Sequence, residues 1–217
     1  MASIDPSTPD LLLLLALLLV ILLNPLLDHG ELRRLILTGL TFVPVVLATF
    51  RLAQSRRYIR PAVLLMSITL AFGVASVFKP NSVLLTIKWG SLAAFFALSV
   101  AGLFSYLIHA PAVTRPHLYT AVSVYLLLAM VWFALYAAIE ALSPGSFQHG
   151  NNAAADRESE LLYFSLITIS TVGYGDIIPL QDEARMLAAL EGVTGVLYIA
   201  ITVAILISAF KRASTRE

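Results

Sequence analysis

The chain of 217 residues contains no cysteine, and only 12% of its residues are Asp, Glu, Lys or Arg. Without cysteine there is no disulfide scaffold, no thiolate metal site and no thiol nucleophile. Soluble domains carry about 25% charged residues, so half that share cannot clothe a water-exposed surface, and a water-soluble enzyme is excluded. The net charge is +1, which offers a polyanion such as nucleic acid nothing to bind. The four histidines, His29, His109, His117 and His149, are scattered near expected helix ends and in loops, without metal-ligand spacing. What is abundant is apolar surface: 59% of the residues are hydrophobic and the mean hydropathy is +0.88. Disorder needs the reverse balance. These proportions describe an integral membrane protein, and apolar runs of helical length make its expected fold all-α.

A bilayer core about 30 Å thick takes roughly 20 helical residues to cross. Six apolar runs approach that length, at 11–27, 35–50, 61–78, 83–108, 118–142 and 186–210. The first two are short and joined by Asp28, His29, Gly30 and Glu31, and a hairpin that crosses only partly is the alternative for them. The Asn24-Pro25 pair is expected to end or kink the first helix. The first ten residues hold Asp5 and Asp10 and no basic residue, the opposite of a cleaved leader, so the first helix is expected to be retained. With six crossings and an inner N-terminus, eight basic residues fall inside (Arg51, Arg56, Arg57, Arg60, Arg115, Lys211, Arg212 and Arg216). Five fall outside: Arg33, Arg34, Lys79, Arg157 and Arg185. That bias places both termini in the cytoplasm.

The pattern changes after the fifth run. Residues 143–158 are polar and rich in Gly, Asn and small side chains, which reads as an exposed loop. Residues 161–170 are apolar but only half a membrane long, and 171–179 follow with two glycines and a proline. Irregular backbone at membrane depth is tolerated only where protein surrounds it or water reaches it, so this segment is expected to re-enter and line a pore. Its core is Thr171-Val172-Gly173-Tyr174-Gly175-Asp176. Glycine at alternate positions permits positive φ there, and successive carbonyls can then turn to one side. Four such segments around an axis would stack rings of carbonyl oxygens able to replace a cation's hydration shell. A tight glycine turn between two membrane helices is the plain structural alternative.

The whole string, preceded by an outer helix, a loop and a short apolar helix and followed by an inner helix, resembles the selectivity filter of tetrameric potassium channels. The resemblance covers 118–210 and implies a division of the chain. Residues 1–117 would be a four-span membrane domain like a voltage sensor, and 118–217 a pore domain. In the pore domain the outer helix is expected at 118–142, the pore helix at 160–170, the filter at 171–176 and the inner helix at 186–210. It further implies a four-fold symmetric homotetramer with K+ held at Thr171, Val172, Gly173 and Tyr174, Gly175 completing the filter, and no cofactor beyond the permeating ion. Asp176 would stand at the outer mouth. Some of these channels carry a glutamate on the pore helix where this chain has Ile167, which leaves Asp176 to another partner or to water. Tyr163 and Phe164 stand where many carry tryptophans.

Three further features follow the motif. Glu191 is an ionisable residue inside a span, which is expensive unless paired or functional. It is expected to face protein behind the filter and bond pore-helix hydroxyls; a snorkelling carboxylate is the alternative. Of the pore-helix hydroxyls, Ser165, Thr168 and Ser170 either bond neighbouring groups or bond back to their own helix. Gly195 stands where related channels place a hinge, or it allows close packing on the pore helix. Ile199, Val203 and Ile207 continue that face at four-residue spacing, either as cavity rings that close by dewetting or as a packing stripe.

The fourth run contains one basic residue, Lys88, and no repeat of arginines. A gating charge crossing the field is worth about 2.3 kcal/mol per 100 mV, so one per subunit cannot make opening steep. Seven residues follow Phe210, so no soluble regulatory domain is expected after the inner helix. The segment Arg51–Arg60 is either a contact for anionic lipid head groups or a topology signal alone. The expected function is passive K+ conduction with weak or no voltage gating, in the plasma (inner) membrane of a prokaryote. The alternative is a non-conducting or auxiliary channel-like subunit. An enzyme lacks a charged dyad within the spans, and an active transporter lacks an ATP-binding segment and an inverted repeat.

Overall fold

A computed structural model describes residues 8–24, 43–50, 56–78, 81–109, 113–148 and 157–214. The chain is mostly helical. The principal helices are α1 (Thr8–Leu23), α2 (Arg56–Phe78), α3 (Ser82–Ile108), α4 (Arg115–Leu142), α5 (Arg157–Ile169) and α6 (Asp182–Ser214). Residues 43–50 are also helical. Two short strands, β1 (Phe147–Gln148) and β2 (Ile178–Pro179), pair antiparallel with Phe147 opposite Pro179.

Among the described residues four helices are long and apolar enough to cross a membrane, within α2, α3, α4 and α6. The first expected span is a shorter apolar helix of 16 residues, and the first half of the second, 35–42, lies outside the described residues. α1 stops at Leu23, just before Asn24-Pro25, because a residue preceding proline is sterically pushed out of the helical region. The other helices run beyond their apolar stretches. α4 begins at Arg115 and α6 at Asp182, not at 118 and 186, and α5 spans 157–169 instead of 160–170. Apolar runs mark what lies in lipid, whereas helix ends are set by polar caps. Asn81 caps α3 by accepting from the Val83 N–H at 3.1 Å. In α4 the Thr114 N–H donates back to His117 Nδ1 at 3.2 Å, and Pro116 sits in the first turn, where no intrahelical donor is needed. Asp182 and Glu183 lie in the first turn of α6, at the positive end of its dipole.

α4 is the spine of the fold. It packs along α3 and also contacts α1, α5 and α6. Trp89 meets Phe133 edge-to-face at 5.3 Å, and Phe104 of α3 reaches Tyr198 of α6 at 6.1 Å. The buried residues of the front and rear helices form one hydrophobic cluster, so packing continues across position 117. α2 lies outside α3, joined by a buried bond between the Thr69 and Ser91 hydroxyls at 2.8 Å. The exposed large residues Val63, Leu64, Leu70 and Val74 give α2 an apolar outer face of the kind lipid solvates.

Candidate functional site

The site is built where α5 ends. Its last carbonyls have no intrahelical donors, and the following loop supplies them. The Thr171 N–H donates to the Thr168 carbonyl at 3.0 Å. The N–H groups of Val172 and Gly173 both donate to the Ile167 carbonyl, at 2.9 and 3.1 Å. The loop's donors are thus drawn back onto the helix. Among the described residues no hydrogen bond is accepted by the carbonyls of residues 171–175. The backbone takes positive φ at alternate positions, +61° at Thr171, +51° at Gly173 and +80° at Gly175. Alternation of left- and right-handed residues is the conformation that turns successive carbonyls to one side. The glycines adopt it without steric cost. Thr171 is the only non-glycine residue with positive φ among those described, and its side chain gave no warning of it.

Side chains of the loop find little cover in a single chain: Val172 is 51% exposed and Tyr174 74%. Ile177, by contrast, is buried and anchors the far end. Asp176 is exposed, and the side chain that interacts with its carboxylate is Tyr163 of α5.

Behind the loop, three helices meet around one carboxyl group. Glu191 of α6 is completely buried. The Tyr136 hydroxyl of α4 donates to its Oε2 at 2.5 Å, and the Ser165 hydroxyl of α5 lies 2.6 Å from its Oε1 and 2.7 Å from the Ala129 carbonyl. Of the two other hydroxyls considered with Ser165, Ser170 bonds back to the Leu166 carbonyl in its own turn, and Thr168 makes no bond to Glu191. α6 can come this near because Gly195 carries no Cβ to meet the Ile169 carbonyl; Gly192 faces α5 with room to spare. The Tyr125 hydroxyl donates to the Ile169 carbonyl at 3.1 Å, and the Tyr198 hydroxyl donates to the Ala121 carbonyl at 2.6 Å, binding α4 to both partners. Ile199, Val203 and Ile207 are about half exposed and join no cluster with the loop.

The far end of the loop is fastened separately. Glu140, at the end of α4, accepts from the Gly145 and Ser146 N–H groups at 2.9 and 3.0 Å and pairs with Arg157 at 3.3 Å. Leu180 N–H donates to the Ser146 carbonyl at 2.8 Å, extending the β1–β2 pairing. Tyr136, Phe147 and Phe164 meet edge-to-face with centroids 5.2–5.5 Å apart. Phe164 therefore keeps aromatic bulk behind the loop, using rings from three elements. Sequence reasoning missed Tyr125, Tyr136 and Glu140. Only Glu140 left a signal, a carboxylate three positions ahead of the turn-forming Ser143-Pro144-Gly145.

Residues 120–212 match the family described as "Ion channel". The inward rectifier potassium channel Kirbac3.1 of Paramagnetospirillum magnetotacticum is 31% identical over 86 residues, covering 40% of this chain and 25% of that protein. The two pore potassium channel b of Oryza sativa subsp. japonica is 36% identical over 64 residues, 30% of this chain and 16% of its own length. The potassium voltage-gated channel protein shk-1 of Caenorhabditis elegans is 36% identical over 55 residues, 25% of this chain and 10% of its own. The chain thus spans a quarter or less of these relatives. No solved structure matches it. Residues 120–212 thus match an ion-channel family and are similar to stretches of potassium channels, which is the likeness of a channel and not of an enzyme.

Proposed function

We propose that the chain is the subunit of a homotetrameric, potassium-selective channel that conducts passively, with Thr171, Val172, Gly173, Tyr174 and Gly175 as its filter and Asp176 at the outer mouth. The observation that carries this reading is the backbone of the loop. The N–H groups of Thr171, Val172 and Gly173 are committed to α5, the φ values alternate in sign, and among the described residues no donor reaches the loop's carbonyls. Such carbonyls can replace water around a dehydrated cation when four loops converge. The exposure of Val172 and Tyr174 supports the tetramer, since a lone chain offers these side chains nothing to pack on. The C-terminus of α5 adds partial negative charge towards the cavity and favours a cation there.

The subunit has six spans with both termini cytoplasmic, in the plasma (inner) membrane of a prokaryote. Residues 1–117 form the front domain and 118–217 the pore domain, with lipid around both. Voltage dependence is weak, because Lys88 is the one basic residue of α3 and its ammonium lies 4.0 Å from the centroid of the Trp89 ring. The test is cation flux from liposomes holding the purified protein, loaded with K+ or Na+, under stepped membrane potential. Potassium flux that exceeds sodium flux and varies little with potential is the expected result. A steep voltage response overturns the reading of α3, and no flux in any condition favours a non-conducting or auxiliary subunit.

A further inference from the structure

The bonds around Glu191 can be counted proton by proton. Ser165 has one hydroxyl hydrogen and stands within bonding distance of two oxygens, the Ala129 carbonyl at 2.7 Å and Glu191 Oε1 at 2.6 Å. A carbonyl only accepts, so a 2.7 Å contact with it takes the Ser165 hydrogen. If Glu191 were ionised it too could only accept, and its 2.6 Å contact with Ser165 would contain no hydrogen. Two oxygens pressed together without a proton repel, and in a dry interior nothing screens them. The other carboxyl oxygen is already served by the Tyr136 hydroxyl.

The count closes only if the carboxyl group supplies the missing hydrogen. Tyr136 then donates to Oε2, Oε1–H donates to Ser165, and Ser165 donates to the Ala129 carbonyl. The surroundings agree. From α4 the titratable groups facing Glu191 are Tyr136 and Tyr125, and the Tyr125 hydroxyl is committed to the Ile169 carbonyl. From α5 the facing group is Ser165, which does not titrate. Among the described residues no basic side chain forms an ion pair with Glu191, and a fully buried carboxylate without a counter-charge is costly.

We propose that Glu191 is held as the un-ionised carboxylic acid and acts as a positioning residue. As a hydrogen-bond donor to Ser165 it fixes the pore helix between the outer and inner helices. The chain of bonds from Tyr136 to Ala129 runs one way and crosses three helices, so it sets the height and rotation of α5, whose last turn holds the N–H groups of the loop. The protonation state is independent of conduction; the positioning role rests on the proposed channel function.

Infrared difference spectroscopy of the full chain in liposomes at neutral pH, wild type against Glu191→Gln, tests the protonation state. The expected result is loss of an un-ionised carboxyl C=O stretch in the variant. In Ser165→Ala the same band persists but shifts, because its acceptor has gone. Loss of a carboxylate band in place of the acid band overturns the proposal. Potassium flux tests the positioning. Glu191→Gln keeps one donor and one acceptor and conducts, whereas Glu191→Ala loses flux. If Glu191→Ala fails to assemble, Ser165→Ala, which removes a single oxygen, replaces it. Wild-type flux in an assembled Glu191→Ala, or in Ser165→Ala where it stands in, overturns the positioning role. The infrared arm needs no conduction, so a silent wild type would count against the channel reading and leave the acid standing.

Discussion

Gly195 of α6 lies against the carbonyl of Ile169 so closely that a Cβ at position 195 would stand 2.1 Å from that oxygen. The obstacle is backbone, at the end of the helix that carries the loop, and it also receives the Tyr125 hydroxyl. Close packing is therefore sufficient reason for glycine here. Gly195→Ala is expected to force α6 away from α5 and to cost about 1–3 kcal/mol, as overpacked sites do. A lowered melting temperature of the purified chain, beside an unchanged value for Gly192→Ala, checks this. Position 192 is the control because a Cβ placed there would lie 3.9 Å from its nearest obstacle, the Thr168 carbonyl.

Gly173 and Gly175 respond differently, since a Cβ at either meets nothing within 4 Å. What alanine cannot accept there is the left-handed backbone, at about 1–2 kcal/mol per residue. Each Gly→Ala change is expected to leave helix content intact while abolishing selective flux. Circular dichroism and the ratio of K+ to Na+ release from liposomes separate the two effects.

The Glu140 carboxylate satisfies two backbone N–H groups in the turn before β1. Glu140→Ala strands the buried Ser146 donor, at about 1–3 kcal/mol, whereas Gly145 is exposed and water can serve its N–H. Hydrogen exchange should rise first at residues 145–148 and then at 178–180, because Leu180 bonds Ser146. Protection in α2 is expected to stay as it was.

Tyr163→Phe removes the hydroxyl that interacts with Asp176 and leaves the ring in place. The outer end of the loop is expected to loosen. Faster hydrogen exchange at 174–177 with unchanged protection of α5 is the signature, and a decline of flux during sustained conduction should accompany it.

Lys88→Gln is expected to change the voltage dependence of flux very little. One charge is worth at most about 2.3 kcal/mol per 100 mV if it crosses the whole field, and a side chain held over Trp89 does not move that far. Flux measured at several potentials in wild type and variant decides the matter.

Composition and local pattern settled the class of molecule. Too few charges and long apolar runs leave a chain no stable place but lipid, whatever its tertiary arrangement. The half-length apolar segment before Thr171-Val172-Gly173-Tyr174-Gly175-Asp176 likewise announced a short helix that stops where this string begins, because glycine spacing is a local property of backbone conformation. Helix ends were less legible, since caps such as Asn81 and the Thr114–His117 pair lie in polar flanks outside the hydropathy signal.

Tertiary structure alone decided what surrounds the loop. Tyr136 and Glu191 are 55 positions apart and Ser165 stands between them in sequence, so only helix packing brings one hydroxyl from each of two helices to a single carboxyl group. The left-handed Thr171 is likewise imposed from outside its own side chain, by loop N–H groups that must reach back to Ile167 and Thr168. Residue types state what a position can do, and the distances that close a hydrogen bond or forbid a methyl group arise when distant helices are pressed together.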